Sequence, residues 1–453
     1  MNTTPTPAKH ERAVEIVRRL QAAGHEAFFV GGCVRDAQLG REPEDFDIAT
    51  SAGPAQVEAL FPRTVPVGRQ FGVMIVLAGP DQFQVAAFRA EHGYLDGRHP
   101  TEVRFSDARE DALRRDFTVN GLFFDPVGGE LHDWVGGRAD LRARVLRTIG
   151  APEDRFAEDH LRLLRAVRFA AQLDFALDPA TMAAVQANAP SIQTVSAERI
   201  RDELLKLFQP PHAARGFELL RDSRLLGHIL PEVAAFAGCQ QSPDYHPEGD
   251  VFEHIRRMLA GLPADAPPAL AWAVLLHDVG KPVTASGDPA TGQMHFYGHE
   301  KVGAELARGL LTRLRFPRKQ IEELAAVVEQ HMQFKDVRQM RKATLRRLLL
   351  RPTFPLELAL HRLDCLGSHG RLDHYEFLVA EAEALARQPA IKPPLLTGDD
   401  LLALGLRSGP EIGALLAEAR DRQLQDELRT RTEAMAWLRQ KLNRPETGTE
   451  VEG

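Results

Sequence analysis

Residues 28–50 read FFVGGCVRDAQLGREPEDFDIAT, and the first part of the chain is built around them. Phe28, Phe29 and Val30 make a short apolar run of the buried-strand type, which Gly31 and Gly32 stop abruptly. Paired glycines allow a tight turn whose N–H groups approach a phosphate closely, with no Cβ in the way. Arg35 follows, a cation within reach of the same phosphates. Asp45, Phe46, Asp47 and Ile48 then alternate polar and apolar. That period puts both carboxylates on one face of a strand and both apolar side chains in a core. Adjacent carboxylates repel unless a cation lies between them, and paired divalent ions about 4 Å apart serve in-line nucleotidyl transfer. A glycine turn or a solvated edge strand would explain either half alone. Together they point to a nucleotide site.

GGCVRD at 31–36 followed by DFDIAT at 45–50 resembles the nucleotidyltransferase signature of the bacterial class II tRNA CCA-adding enzymes and poly(A) polymerases. The resemblance implies an α+β fold, with an N-terminal mixed-sheet, polymerase-beta-like nucleotidyltransferase head followed by all-helical neck, HD and tail domains. The expected boundaries are a head at 1–150, a neck with a nucleobase-reading helix at 151–235, an HD-type domain at 245–387, a helical tail at 395–442, and a disordered end at 443–453. The Pro-rich stretch 388–394 reads as a linker.

Within that frame, residues 11–23 have helical spacing and end at Gly24. Strands are expected at 73–77 and 83–88, a polar loop at 89–102, a strand at 103–105, a helix at 107–115 and a strand at 119–124. From Pro152 strand signals all but vanish. Helical patterns then occupy 156–173, 179–188, 196–208 and 212–226, and resume from 251 to about 387.

Two further stretches bear on the nucleotide. Residues 114–120, RRDFTVN, set adjacent arginines before an Asp, and guanidinium forks match phosphate oxygens. The stretch resembles the family's second motif, which implies an NTP contact for Arg115. Residues 158–168, EDHLRLLRAVR, have helical spacing that places Asp159 and Arg162 on one face, the spacing also of an ordinary ion pair. A carboxylate that accepts from an exocyclic amine, beside an arginine that donates to a ring nitrogen, suits cytosine and adenine. Guanine and uracil present the opposite order, at a cost of about 1–3 kcal/mol per mismatch. EDHLR matches the family's EDxxR motif, which serves there as an amino-acid template. Arg165 and Arg168 resemble the family's further arginines near the triphosphate. SAERIRDEL at 196–204 resembles the motif whose Arg and Glu brace the template helix.

The resemblance therefore implies Mg²⁺ on catalytic Asp45 and Asp47, with nucleotide contacts from Gly31, Gly32, Arg35, Arg115, Asp159, Arg162, Arg165 and Arg168. Its expected partners are tRNA, CTP and ATP, and the reaction adds C, C and A to tRNA 3′ ends with release of pyrophosphate. Poly(A) addition and partial addition of only CC or only A are the enzymatic alternatives. A catalytically dead RNA-binding protein is the alternative of another class. Residues 67–72, VGRQFG, look more like the CCA-adding pattern than the poly(A) one. Gln84 departs from the family, whose corresponding strands carry a Glu that would act as a third carboxylate.

Downstream, His254, the pair His277 and Asp278, then His299, His331 and Asp364 form an ordered set of good ligands for a divalent transition metal. The set resembles the HD phosphohydrolases, which implies possible hydrolysis of phosphates at RNA ends; His299 and His331 would admit a second metal. Residues 337–352 hold six basic residues and no acidic one, a solvated helical face or a track for an RNA backbone.

Composition sets the outer bounds. The 453 residues are 44% hydrophobic and 26% charged, an ordinary globular balance. A net charge of −7 requires any RNA-binding basic residues to be gathered locally. Cys33, Cys239 and Cys365 form no CxxC pair, which points to a reducing compartment and away from a thiolate zinc site. No signal-type N-terminus or long apolar run is present, so the expectation is a cytoplasmic protein with no membrane association and no evident protein partner.

Overall fold

The structure is a computed structural model that describes residues 7–68, 72–94, 100–242, 249–288, 294–387 and 393–442. The chain forms two compact units, Met1–Ala234 with Arg313–Arg315, and Ala235–Thr312 with Phe316–Gly453. Residues 1–6, 69–71 of the VGRQFG stretch, 388–392 of the expected linker and the expected disordered end at 443–453 lie outside the described residues.

The first unit opens with helix α1 (Pro7–Ala22), which buries Ala13, Ile16, Val17 and Leu20. Strand β1 (Ala27–Val30) is buried throughout and ends at Gly31. Gly31 has φ +72°, a backbone conformation that favours glycine, and Arg115 Nη1 would lie 3.2 Å from a Cβ there. Helix α2 (Gly32–Gln38) follows, then β2 (Asp47–Thr50), antiparallel to β1 with Val30 opposite Asp47. Helix α3 (Pro54–Leu60) leads to β3 (Thr64–Gly68), β4 (Val73–Ala78) and β5 (Asp81–Ala87). A separate two-stranded sheet pairs β6 (Arg89–Tyr94) with β7 (Pro100–Phe105). After α4 (Ala108–Leu113) come β8 (Phe123–Phe124) and β9 (Leu131–His132). The main sheet runs β3-β4-β5-β2-β1-β8-β9, parallel at β2–β5 and antiparallel at its other pairings. Phe28, Phe88 and Phe123 pack together on one side of it.

Two expectations are corrected here. Residues 89–102 are not a loop: their backbone pairs as β6 and β7, a ladder that composition alone does not announce, while the tip at 95–99 lies outside the described residues. The strand expected at 119–124 is a 3₁₀ turn (Thr118–Asn120) followed by two strand residues. Thr118 Oγ1 donates to Asp140 (2.7 Å), and the Asn120 amide is shared between Asp116 and Arg35. The backbone is thereby curled away from the ladder.

Helix α5 (Gly137–Ala143) and β10 (Val145–Leu146) close this region. The helix expected at 156–173 is in fact two, α6 (Pro152–Glu158) and α7 (Leu161–Leu173). Asp159 between them is extended (φ −147°, ψ 107°), and its Oδ1 accepts the Leu161 N–H at 3.0 Å. A short carboxylate that competes for backbone donors favours such a break. Beyond α7, β11 (Ala176–Leu177) pairs in parallel with β10, a strand that the helical reading missed. Then come α8 (Pro179–Asn188), α9 (Ala197–Leu207), α10 (Ala213–Asp222), α11 (Leu225–Ile229) and α12 (Pro231–Ala234). The single helix expected at 212–226 divides at Arg224, whose φ of +65° no α-helix accommodates.

The second unit contains α13 (Val251–Ala260), α14 (Pro268–Leu276) and α15 (Lys281–Thr284). A hairpin of β12 (Ser286–Gly287) and β13 (Met294–His295) precedes α16 (His299–Arg313), α17 (Arg318–Gln330), α18 (Lys342–Leu349), α19 (Phe354–Gly367) and α20 (Asp373–Ala386). α14 is buried from residue 270 to its end and forms the spine of this unit. The last helices, α21 (Gly398–Ala403), α22 (Pro410–Leu424) and α23 (Arg431–Lys441), surround Leu401, Leu415 and Leu438. The basic run at 337–352 is largely spent inside the unit. Arg346 is buried against Asp426 Oδ1 (2.6 Å), Lys342 pairs with the same carboxylate, Arg347 meets Asp421 (2.8 Å), and Arg351 meets Glu357 (3.2 Å). No helix among the described residues is long and apolar enough to cross a membrane.

Candidate functional site

In the first unit the burial alternation at 45–48 is realised, with Asp45 and Asp47 exposed and Phe46 and Ile48 buried, but β2 begins only at Asp47 and Asp45 precedes it. Phe46 packs on Phe29 and His10, with ring centroids 5.2 and 5.4 Å apart, so a rigid aromatic base separates the two carboxylates. Lys9 Nζ lies 2.8 Å from Asp45 Oδ1 at the surface, where such a pair is worth little. The Asp47 side chain reaches solvent, yet the protein mass around it pushes its carboxyl above the usual range. Arg115 pulls the other way, and the like charge of Asp45 adds to the rise. Two hard oxygen donors that repel each other fit Mg²⁺. Gln84 is exposed on β5, and the β2–β5 register (Ile48 opposite Val85) continues to place it beside Asp47.

The arginines are held ready by carboxylates. Asp111, buried in the first turn of α4, takes Arg114 (2.6 Å) and Arg115 (3.1 Å), and Arg115 also lies over the Phe123 ring. Arg35 is buried, held by Asp36 (2.9 Å) and by Asn120 Oδ1 (2.7 Å). Asp116 accepts Arg165 Nη2 at 2.6 Å. Burial works to raise the Asp116 pKa, but Arg165 and Arg162 prevail and bring it down to about 2. Arg168 is stacked 3.8 Å over Phe169 and bound to Glu203 of α9 at 2.5 Å.

The proposed base readers sit at the α6–α7 break, so they do not share a helix face. Asp159 Oδ2 is held by Arg199 of α9 (2.7 Å). Arg162 binds Glu158 and donates to the Arg155 carbonyl (3.2 Å) and the Arg114 carbonyl (3.1 Å). Arg199 and Glu203, the acid–base pair of SAERIRDEL, thus brace Asp159 and Arg168 respectively. Asp111 was not singled out from sequence, and Asp116 and Asn120 were read only as members of the RRDFTVN stretch. Their role is to orient arginines, and the order of residues carries no sign of that.

The second unit brings together all six candidate ligands downstream. Within 4.8 Å of one another lie one ligand atom each from His254, His277 and Asp278, and from Asp278, His299 and His331. Asp364 Oδ1 is 3.1 Å from His254 Nε2. A Cβ on Gly280 would lie 2.2 Å from the His299 carbonyl oxygen, so only glycine lets the turn after Asp278 approach the start of α16. His277, His299 and His331 each set Nδ1 against the carbonyl three residues earlier, of Val274 (2.9 Å), Phe296 (2.8 Å) and Val328 (2.6 Å). Donation from Nδ1–H leaves each Nε2 a lone pair facing the centre. His299 Nε2 and His331 Nε2 then oppose each other at 3.2 Å, which a cation between them would relieve. His277 Nε2 lies 3.3 Å from Asp278 Oδ2 without hydrogen-bond alignment. Burial lowers the His331 pKa to about 3, keeping it a neutral ligand. Burial works to raise the Asp278 pKa, but His277 and Lys281 hold it well below the usual range. This nitrogen and oxygen donor set fits a divalent transition metal. Lys281 Nζ also reaches Asp278 Oδ2 (2.6 Å) and Gln241 Oε1 (2.6 Å), a buried cation that the sequence reading did not single out.

A mixed-sheet head with paired carboxylates and arginines, followed by a helical unit with a histidine–aspartate centre, defines a polymerase-type nucleotidyltransferase joined to an HD domain. Known families match in that order: the Poly A polymerase head domain over residues 27–147, the probable RNA and SrmB-binding site of polymerase A over 174–236, and the HD domain over 250–366. The A-adding tRNA nucleotidyltransferase of Deinococcus radiodurans is 37% identical across 91% of this chain and 94% of its own length. The CC-adding tRNA nucleotidyltransferase of Thermus thermophilus is 35% identical across 91% and 93%. The crystal structure of the Bacillus stearothermophilus CCA-adding enzyme in complex with CTP superimposes with a TM-score of 0.72 at 28% identity, covering 98% of each chain. The chain belongs to the tRNA nucleotidyltransferase family and is an enzyme of that class.

Proposed function

We propose that this protein extends tRNA 3′ ends without a nucleic-acid template, drawing on CTP and ATP to build the sequence C, C, A and releasing pyrophosphate. One observation carries the reading: Arg162 donates to the carbonyl of Arg114, tying the Asp159 break to the segment that bears Arg114 and Arg115. Asp45 and Asp47 would hold Mg²⁺, which when bound neutralises the α-phosphate and lowers the pKa of the primer hydroxyl. Gly31 and Gly32 let the phosphates come close to the backbone. Arg35, Arg115, Arg165 and Arg168 would orient the triphosphate, each already aimed by a carboxylate. Asp159 would accept from the exocyclic amine of C or A and Arg162 would donate to the ring nitrogen. Guanine or uracil would leave Asp159 facing an acceptor.

The likeness over nearly the whole chain to an A-adding and a CC-adding enzyme favours a second reading, addition of part of the terminus. One assay decides: tRNA lacking its end, supplied with each labelled NTP singly and together. Three added residues support complete addition, two C or one A supports partial addition, and long A tracts would mean a poly(A) polymerase. No addition to any primer would leave an RNA-binding protein.

For the second unit we infer a phosphohydrolase acting on RNA ends, with His254, His277, Asp278, His299, His331 and Asp364 holding one or two divalent transition metals. A metal there would supply a nucleophilic water at neutral pH. Metal analysis of the purified protein tests it; absence of any bound transition metal would overturn it.

A further inference from the structure

We propose that Tyr297, stacked on His295, is the platform on which the HD centre's substrate lays its nucleobase. The proposal rests on reading that centre as a phosphohydrolase. Tyr297 is 79% exposed, a large aromatic ring left in water. Its neighbour is the His295 ring, nearly parallel to it (15°) with centroids 5.3 Å apart. Met294 and His295 pair with Gly287 and Ser286, and Tyr297 lies in the turn that follows, just before α16. Phe296 is anchored at the centre twice. Its carbonyl accepts from His299 Nδ1 at 2.8 Å, and its ring lies 5.6 Å from the Lys281 ammonium. The stacked His295 and Tyr297 therefore flank a residue whose carbonyl orients a candidate ligand.

The reach is right for a nucleotide. Tyr297 stands two positions before His299, and two residues of chain span at most about 7 Å. A phosphate held at the histidine–aspartate centre would thus have its base, one sugar away, beside the stacked rings. Base–aromatic stacking tolerates every base, because each has a π-face. Met332 and Leu366, also exposed, stand one residue beyond His331 and two beyond Asp364, so apolar surface recurs near the centre. The ligand class is a nucleotide with a 2′,3′-cyclic or terminal phosphate, free or at an RNA end. In its hydrolysis the oxygen of water bonds to phosphorus, one P–O ester bond breaks, and the departing ribose oxygen takes a proton.

The test uses the full chain loaded with Mn²⁺ or Ni²⁺. Substrates are nucleoside 2′,3′-cyclic monophosphates, a short RNA ending in a 2′,3′-cyclic phosphate, and glycerol cyclic phosphate, which has no base. Tyr297→Ala is expected to raise KM for the base-bearing substrates about 5- to 100-fold, in line with stacking of one base. Its kcat should hold within about twofold, its KM for glycerol cyclic phosphate should not move, and Tyr297→Phe should restore the parent KM. A larger rise with the RNA assigns the platform to RNA ends; equal rises assign it to the nucleotide itself. Hydrolysis with KM unmoved by Tyr297→Ala overturns the platform and leaves the hydrolase standing. A parent protein that hydrolyses none of the three overturns both.

Discussion

The two candidate centres are built on opposite plans. In the head, Asp45 and Asp47 stand exposed before and at the start of β2, and the surrounding arginines are already paired to Asp36, Asp111, Asp116 and Glu203. In the HD domain every histidine of the set is turned inward, and three are fixed by carbonyls of their own helix or turn. An open acidic pair beside rehearsed arginines suits ions and nucleotides that arrive and leave each cycle. A buried imidazole cluster suits a resident metal. What is pre-organised therefore differs: a set of carboxylate-paired arginines in one, a cluster of inward imidazoles in the other.

If that contrast is right, the largest effects should separate cleanly. Asp45→Ala or Asp47→Ala should lower nucleotide addition on the order of 10³-fold while the metal content of the HD domain stays at parent level. Addition at the parent rate would break the comparison at its first term. His277→Ala should weaken transition-metal binding by about 100-fold or more, since even outer partners of a ligand are worth 10–100-fold. Elemental analysis reads this, and primer extension should not change.

A sharper probe is Asp159→Ala, expected to raise use of GTP and UTP relative to CTP and ATP by about 10- to 100-fold in single-nucleotide incorporation. Unchanged selectivity would remove the base-reading role. Asp116→Asn should destabilise the protein by about 2 kcal/mol at neutral pH, because the carboxyl pKa drops from 3.8 to about 2 on folding. A depressed pKa contributes stability that is full above about pH 4 and fades as pH falls through 2. Urea titrations of parent and variant should therefore converge in acid; a constant gap would assign the loss to packing. Gln84→Glu, beside Asp47, should alter the addition rate less than about tenfold, since two carboxylates already neutralise the incoming cations; a larger change would make the third position part of the machinery.

The Gly31 turn, the Asp45–Asp47 alternation and the histidine–aspartate set were legible because each is written in a few neighbouring residues or residue types of rare chemistry. The break at Asp159 was not, because periodic leucines ran through it while a single side-chain hydrogen bond to Leu161 N–H ended the helix. The β6–β7 pairing escaped for a related reason: a backbone ladder needs no apolar pattern.

The partners of the arginines and of Lys281 belong to a third group. Sequence supplied a cation at Arg162, Arg165, Arg168 and Lys281, but Asp116 meets Arg165 across 49 positions and Gln241 meets Lys281 across 40. The basic run at 337–352 shows the same limit, since acidic residues of α22 and the turn after it engage much of it. By itself the sequence determined which chemistry is present, because carboxylates, imidazoles and glycines have fixed properties wherever they stand. Only the tertiary structure decided which charges are aimed at a ligand and which are spent on one another. Coulomb and hydrogen-bond partners are set by distance in space, and distance along the chain does not encode that.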